Sequence, residues 1–177
     1  MFANRSHAGS ALFFVLSALL VLGPGLLIAS AQSYSDASVM VALDVRTSNS
    51  VDQPDAEQQL LALLNSVRAQ HRLPPLRMDR SLQAAARAHS RDMATGGYVG
   101  HGSPLGPSAL DRLAHVVVRG LVGENVTFAV SCAAANRALV ASDGHLVNII
   151  EPRFHRVGIG VFSAGQLGMA VTQDFAE

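Results

Sequence analysis

The sequence contains no lysine. All 13 of its basic residues are arginine, they are balanced by 13 acids, and the formal net charge is zero. Such a chain lacks the basic stripe of a nucleic-acid-binding surface. It has a single cysteine, Cys132, so no disulfide can form within the chain. Outside the cell it must hold together by packing alone. Gly-x-Ser-x-Gly, His-Glu-x-x-His and Cys-x-x-Cys are all missing, which removes the commonest serine-hydrolase, zinc-protease and thiol signatures. There is no internal repeat. Disorder throughout is excluded too, because hydrophobic residues make up 49% of the chain.

Much of that apolar content lies at the start. Residues 1–10 carry one charge, Arg5, residues 11–28 are almost wholly apolar, and Ala29-Ser30-Ala31 follows. This is the layout of an export signal with a small-x-small cleavage site. The apolar run is about long enough to span a bilayer if left uncleaved, but Gly23-Pro24-Gly25 interrupts it as a helix. The expectation is a signal peptide over 1–31 and an exported protein, secreted or periplasmic, touching a membrane only through an uncleaved signal. No cysteine follows the cleavage site to carry a lipid. Cleavage removes one of the 13 arginines and none of the 13 acids, leaving a mature charge of −1.

Residues 32–54 are rich in Ser, Asp and Thr and read as a flexible linker. A domain over 55–177 is expected next. Asp55 is positioned to cap a first helix, whose apolar face is Leu60, Leu63, Leu64 and Val67. Leu73-Pro74-Pro75-Leu76 is an extended connector. Asp79 caps a second helix that stops at Gly96-Gly97, with Leu82, Ala85, Ala86, His89 and Met93 on one face. The glycines and prolines of 100–107 make a loop. Ser108 caps a short third helix over 109–116. A strand over 123–129, a helix over 131–142 and a short helix over 145–150 follow. The period then changes to two, giving a hairpin of strands 157–163 and 167–175. Helices first and a hairpin last predict an α+β layered domain.

Three residues stand out chemically. His101 lies in the glycine-proline loop, where small neighbours leave an imidazole accessible. Glu124 interrupts an apolar stretch, and a carboxylate there needs partners; it reads either as a backbone-bonded structural acid or as a partner of a histidine. His145 opens a short helix whose N-terminus favours neutral imidazole, and Asn148 shares its face. His89 is a core histidine by position, His71, His115 and His155 are surface residues, and Cys132 shares a helical face with Ala135 and Leu139 as a buried, inert thiol. Asn125-Val126-Thr127 matches the glycosylation triplet but sits among apolar neighbours.

In order, the chain carries Leu-Leu-Asn65-x-x-Arg68, Ala88-His89-Ser90-x-Asp92-Met93, Gly97-Tyr98-Val99-Gly100-His101-x-Ser103-Pro104, Gly123-Glu124-Asn125, Gly144-His145-x-x-Asn148, Arg153-Phe154-x-x-Val157-Gly158-Ile159-Gly160 and Thr172-Gln173-Asp174-Phe175. This order resembles the CAP superfamily of cysteine-rich secretory, antigen 5 and pathogenesis-related 1 proteins, in particular its short bacterial SCP-like members. The resemblance implies a three-layer α-β-α sandwich with a central cleft, faced by two histidines and two acids that can hold a divalent metal such as zinc. His101 and His145 match the histidines and Glu124 the first acid. The second acid of eukaryotic members falls near Ser142, with Asp143 adjacent and Asp111 in possible reach, and Leu139 replaces the usual tryptophan. Two imidazoles and one carboxylate still make a zinc set with water in the fourth place.

Two functions follow from the resemblance. One is a non-catalytic binding module for an extracellular lipid, envelope component or protein. The other is a peptidase-like hydrolase using Glu124 as general base on a water held by His101 and His145, with or without zinc.

Overall fold

The computed structural model describes residues 26–28 and 52–177, apart from Leu105 and Val118. The expected leader and linker lie outside the described residues, except for Leu26–Ile28 and the stretch from Asp52 onward.

The chain enters the domain beside the sheet, Gln53 N–H donating to the Val161 carbonyl at 3.1 Å. Helix α1 then runs Pro54–Gln70. Asp55 is not its cap. Gln53 is, with no side-chain bond, because Pro54 takes the first helical turn, where a missing N–H leaves nothing unsatisfied. Asp55 and Glu57 fall in that turn and favour the helix dipole. Helix α2, Arg80–Gly96, is capped as expected: Asp79 accepts from the N–H groups of Ser81 and Leu82, and Gly97 closes it at φ 67°.

The third helix, α3, is shorter than the sequence suggests, Ala109–Ala114, and starts with a full Ser108/Asp111 capping box. Helices α4 and α5 span Cys132–Val140 and Asp143–Ile149. The strands are β1 Leu26–Ile28, β2 Arg77–Met78, β3 Gly120–Ala129, β4 Arg156–Ser163 and β5 Met169–Ala176. Strand β2 extends the proline connector. Strand β5 begins later than the period implied, because Gly165–Leu167 is a turn of 3-10 helix. No helix among the described residues is long and apolar enough to cross a membrane.

The five strands lie in the order β1-β3-β5-β4-β2. Strands β3, β5 and β4 pair antiparallel, while β2 and β1 join the edges parallel to β4 and β3. Side chains alternate between the faces. One face carries Val157, Ile159, Val161, Val171 and Phe175 against Leu60 and Leu64 of α1, Leu139 of α4 and Ile149 of α5. Val122, Ala176 and Ala170 point to the other face, where Leu82 and Met93 of α2 and Leu113 of α3 pack. The result is the α-β-α sandwich expected from the motif order.

Two polar devices fix the layers. Fully buried Arg68 donates to the carbonyls of Pro74, Ile149, Glu151 and Phe154 at 2.8–3.2 Å, tying α1 to the exit of α5. Asn65 accepts from Leu76 N–H at 2.8 Å and donates to its carbonyl at 3.1 Å, holding the proline connector. On the opposite face the backbone of α2 rests directly on β4. A Cβ at Gly158 would lie 2.0 Å from the Leu82 carbonyl carbon, and one at Gly160 would lie 2.2 Å from that of Ala86.

Gly160→Ala therefore forces α2 off the sheet and is expected to cost about 3 kcal/mol of unfolding free energy. Urea denaturation checks this, and an unchanged midpoint would mean that α2 does not bear on the strand there.

Candidate functional site

Glu124 stands in the middle of β3, on the α2-facing side, and is 7% exposed. A carboxylate so buried needs donors. His101 Nδ1 donates to Oε1 at 2.9 Å and Arg112 Nη2 donates to Oε2 at 2.6 Å. Burial pushes the Glu124 carboxyl up, but the His101 bond and the nearby Arg112 and His89 hold it below the usual carboxylate range. Glu124 is thus an ionised acid whose two oxygens are both engaged. Of the two readings the sequence left open, partner of a histidine is the one realised.

His101 is held from several directions. Tyr98 and Ser103, on either side of it, both donate to Asp92 on α2, Ser103 at 2.6 Å. Burial and then that carboxylate push the Tyr98 hydroxyl up to about 12. From α3, Arg112 donates to the carbonyls of His101 at 2.9 Å and Pro107 at 3.0 Å. Nδ1 of His101 is committed to Glu124, and the other ring nitrogen lies on a side chain that is 58% exposed.

His145 is the third residue of α5 and half-buried. Its pKa is lowered, by burial first and by the nearness of His101 second. Its carbonyl accepts from Asn125 at 3.1 Å. Asn148, one turn along, donates to the Glu124 carbonyl at 3.2 Å and to Asn125 Oδ1 at 2.9 Å. Gly123 is required beside it, since a Cβ there would sit 2.9 Å from Asn148 Oδ1. The Gly-Glu-Asn and Gly-His-x-x-Asn motifs are therefore the two halves of one joint. Asn125 is wholly buried, so the glycosylation triplet is not an acceptor in the fold.

The sequence reading gives three residues of the site no role in it. Arg112 is one. His89 is another: it is buried as expected, with Nε2–H donated to the Gly100 carbonyl at 2.8 Å, yet it also lies 4.0 Å from Glu124 Oε1. The third is Asp174, which faces Glu124 directly across the β3–β5 register and is completely buried. No donor reaches either of its oxygens among the described residues. Burial first and Glu124 second raise its pKa well above the ordinary value. Two adjacent buried carboxylates cannot both ionise. Of the two, Asp174 is the one pushed toward the neutral form.

The other expectations resolve simply. Ser142 is the N-cap of α5 and makes no side-chain capping bond. Asp111 does not approach the cleft, being exposed and bonded to Ser108, and Asp143 is exposed. His71, His115 and His155 are exposed, and Cys132 is buried with its thiol pushed up by that burial.

Glu124 does not join the two histidines as a metal donor in this arrangement. Its oxygens are taken by His101 and Arg112, and a guanidinium stands where a cation would meet it. Among the described residues no three of His, Cys, Asp or Glu gather in a way that could hold a metal ion. The donors left are two imidazoles, fewer than the three protein ligands of a catalytic zinc. The residues as placed do not fit zinc.

The Asp174 proton has a measurable sign. A group whose folded pKa is raised stabilises fully below its unfolded value, 3.8, and loses that contribution as pH rises toward the folded pKa. Asp174→Asn keeps the shape and removes the titration. Its stability relative to wild type is expected to rise with pH above about 4, by at most about 1.4 kcal/mol per unit. Urea unfolding between pH 4 and 8 checks this. A pH-independent difference would mean that Asp174 is already ionised.

The model of the cysteine-rich secretory protein family, CAP, matches residues 61–175. The uncharacterized protein YkwD of Bacillus subtilis is 28% identical over 144 residues, 78% of this chain but 56% of the relative. An extracellular protein containing an SCP domain from Bacillus anthracis is 31% identical with a TM-score of 0.62, covering 70% of this chain and 40% of that one. An outer surface protein of Borrelia burgdorferi shares the fold at 14% identity, with a TM-score of 0.67 over 74% of this chain and 98% of that one. The chain thus spans about half the length of the curated relative it matches. With the family match covering well over half of its residues and the sandwich and motif joint in place, the chain belongs to the CAP family of cysteine-rich secretory proteins.

Proposed function

We propose that this CAP domain is an exported, non-catalytic binding module whose cleft, edged by His101 and His145, takes an extracellular lipid, envelope component or protein. The observation that carries the reading is the state of Glu124. Its side chain is 3% exposed and both oxygens hold donors. A general base needs an oxygen open to substrate or water, and both Glu124 oxygens lie buried beside the donors they hold. No serine or cysteine nucleophile stands beside His101 among its described bonds. Export is supported by the leader-like start of the sequence and by the similarity to an extracellular SCP-domain protein.

The hydrolase reading survives in an altered form. The bond from His101 Nδ1 to Glu124 is the arrangement in which a carboxylate orients a histidine base. The base in that case is His101, acting through its other ring nitrogen, and Glu124 positions it.

A peptide library incubated with the purified chain separates the two. The binding reading expects no cleavage beyond that seen with His101→Ala. Cleavage that disappears in both His101→Ala and Glu124→Gln overturns it. Retention on isolated cell envelopes is expected to fall when His101→Ala and His145→Ala are combined. Mass spectrometry of the exported protein is expected to find Gln32 at the N-terminus; a retained Met1 would mean a membrane anchor.

A further inference from the structure

We infer that Arg112 is the resident cation of the cleft: by occupying Glu124 it leaves a divalent metal only two imidazoles, so this domain works without one. The inference stands apart from the binding reading, since a metal-loaded cleft can also bind without catalysis.

Arg112 is placed by the first turn of α3. The Ser108/Asp111 capping box fixes that turn, and Arg112 follows Asp111 directly. The guanidinium is then held at three acceptors, Pro107 O through Nη1 and His101 O and Glu124 Oε2 through Nη2. Its side chain is 11% exposed, so the charge is fixed and poorly screened by water. Two consequences follow. Oε2 of Glu124 is lost to any metal, because a planar guanidinium at 2.6 Å is a strong charge-assisted partner. A divalent ion at the imidazoles would also meet a like charge just behind His101. No other acid makes up the loss. Ser142 has no carboxylate, Asp111 is committed to its cap, and Asp174 is wholly buried across the sheet register from Glu124.

The test is a calorimetric zinc titration of the purified full chain as wild type, His101→Ala, Arg112→Gln and Arg112→Lys. Wild type is expected to show no one-to-one zinc binding that His101→Ala removes. Arg112→Lys keeps the cation and is expected to behave as wild type. Arg112→Gln frees the carboxylate and is expected to bind one zinc about tenfold or more tighter, with a zinc-dependent rise in Tm. One-to-one binding by wild type that His101→Ala abolishes overturns the inference. So does a folded Arg112→Gln with unchanged zinc affinity. If Arg112→Gln does not fold, wild type alone still decides, because one-to-one zinc binding by the wild-type chain that Arg112→Lys shares overturns the inference and its absence in both upholds it.

Discussion

Burial of one carboxylate governs the architecture of this site. Glu124 sits in the central part of the sheet with α2 above it, and an ion there with no partner costs several kcal/mol. The chain meets it with donors from two separate segments, the His101 loop and α3. Each of these is held in turn. Asp92 binds both ends of the His101 loop through Tyr98 and Ser103, and Arg112 pins the same loop by two carbonyls. A segment of glycines and prolines with no regular structure is thereby given a defined shape, and the imidazole it presents is oriented by the charge it helps to bury.

What could be read from the sequence was local. The period of α2, its Asp79 cap, the glycine stop and the hairpin at the end are all properties of neighbouring residues, and they were legible with small shifts of boundary. The Pro54 start and the late start of β5 were not, because a proline at the first turn displaces the cap and a 3-10 turn consumes strand residues. The motif order exposed His101, Glu124 and His145. Arg112 carried no such signal, and Asp174, though part of the last motif, carried none that tied it to Glu124. Asp174 alternates with Thr172 and Ala176 as any strand residue would, and only the β3–β5 register puts it opposite Glu124. Arg112 looks like a solvent-facing helix residue until α3 is packed against the sheet. His89 was half legible: its position on the buried face of α2 was clear, its nearness to Glu124 was not.

The same geometry holds both histidines in place although Ser142 stands where the resemblance implies a second acid. The two histidines ride on unrelated supports, one on a loop and one on a helix. They are brought together through a single tripeptide. The side chain of Glu124 holds His101, its carbonyl accepts from Asn148, and Asn125 reaches the His145 carbonyl. Gly123 lets Asn148 approach, and Arg68 fixes the far end of the same helix. None of these contacts uses the side chain of residue 142. Building the site therefore does not depend on an acid there, and what such an acid would add is charge. In this chain that charge is absent, and the one carboxylate that remains is already neutralised by arginine.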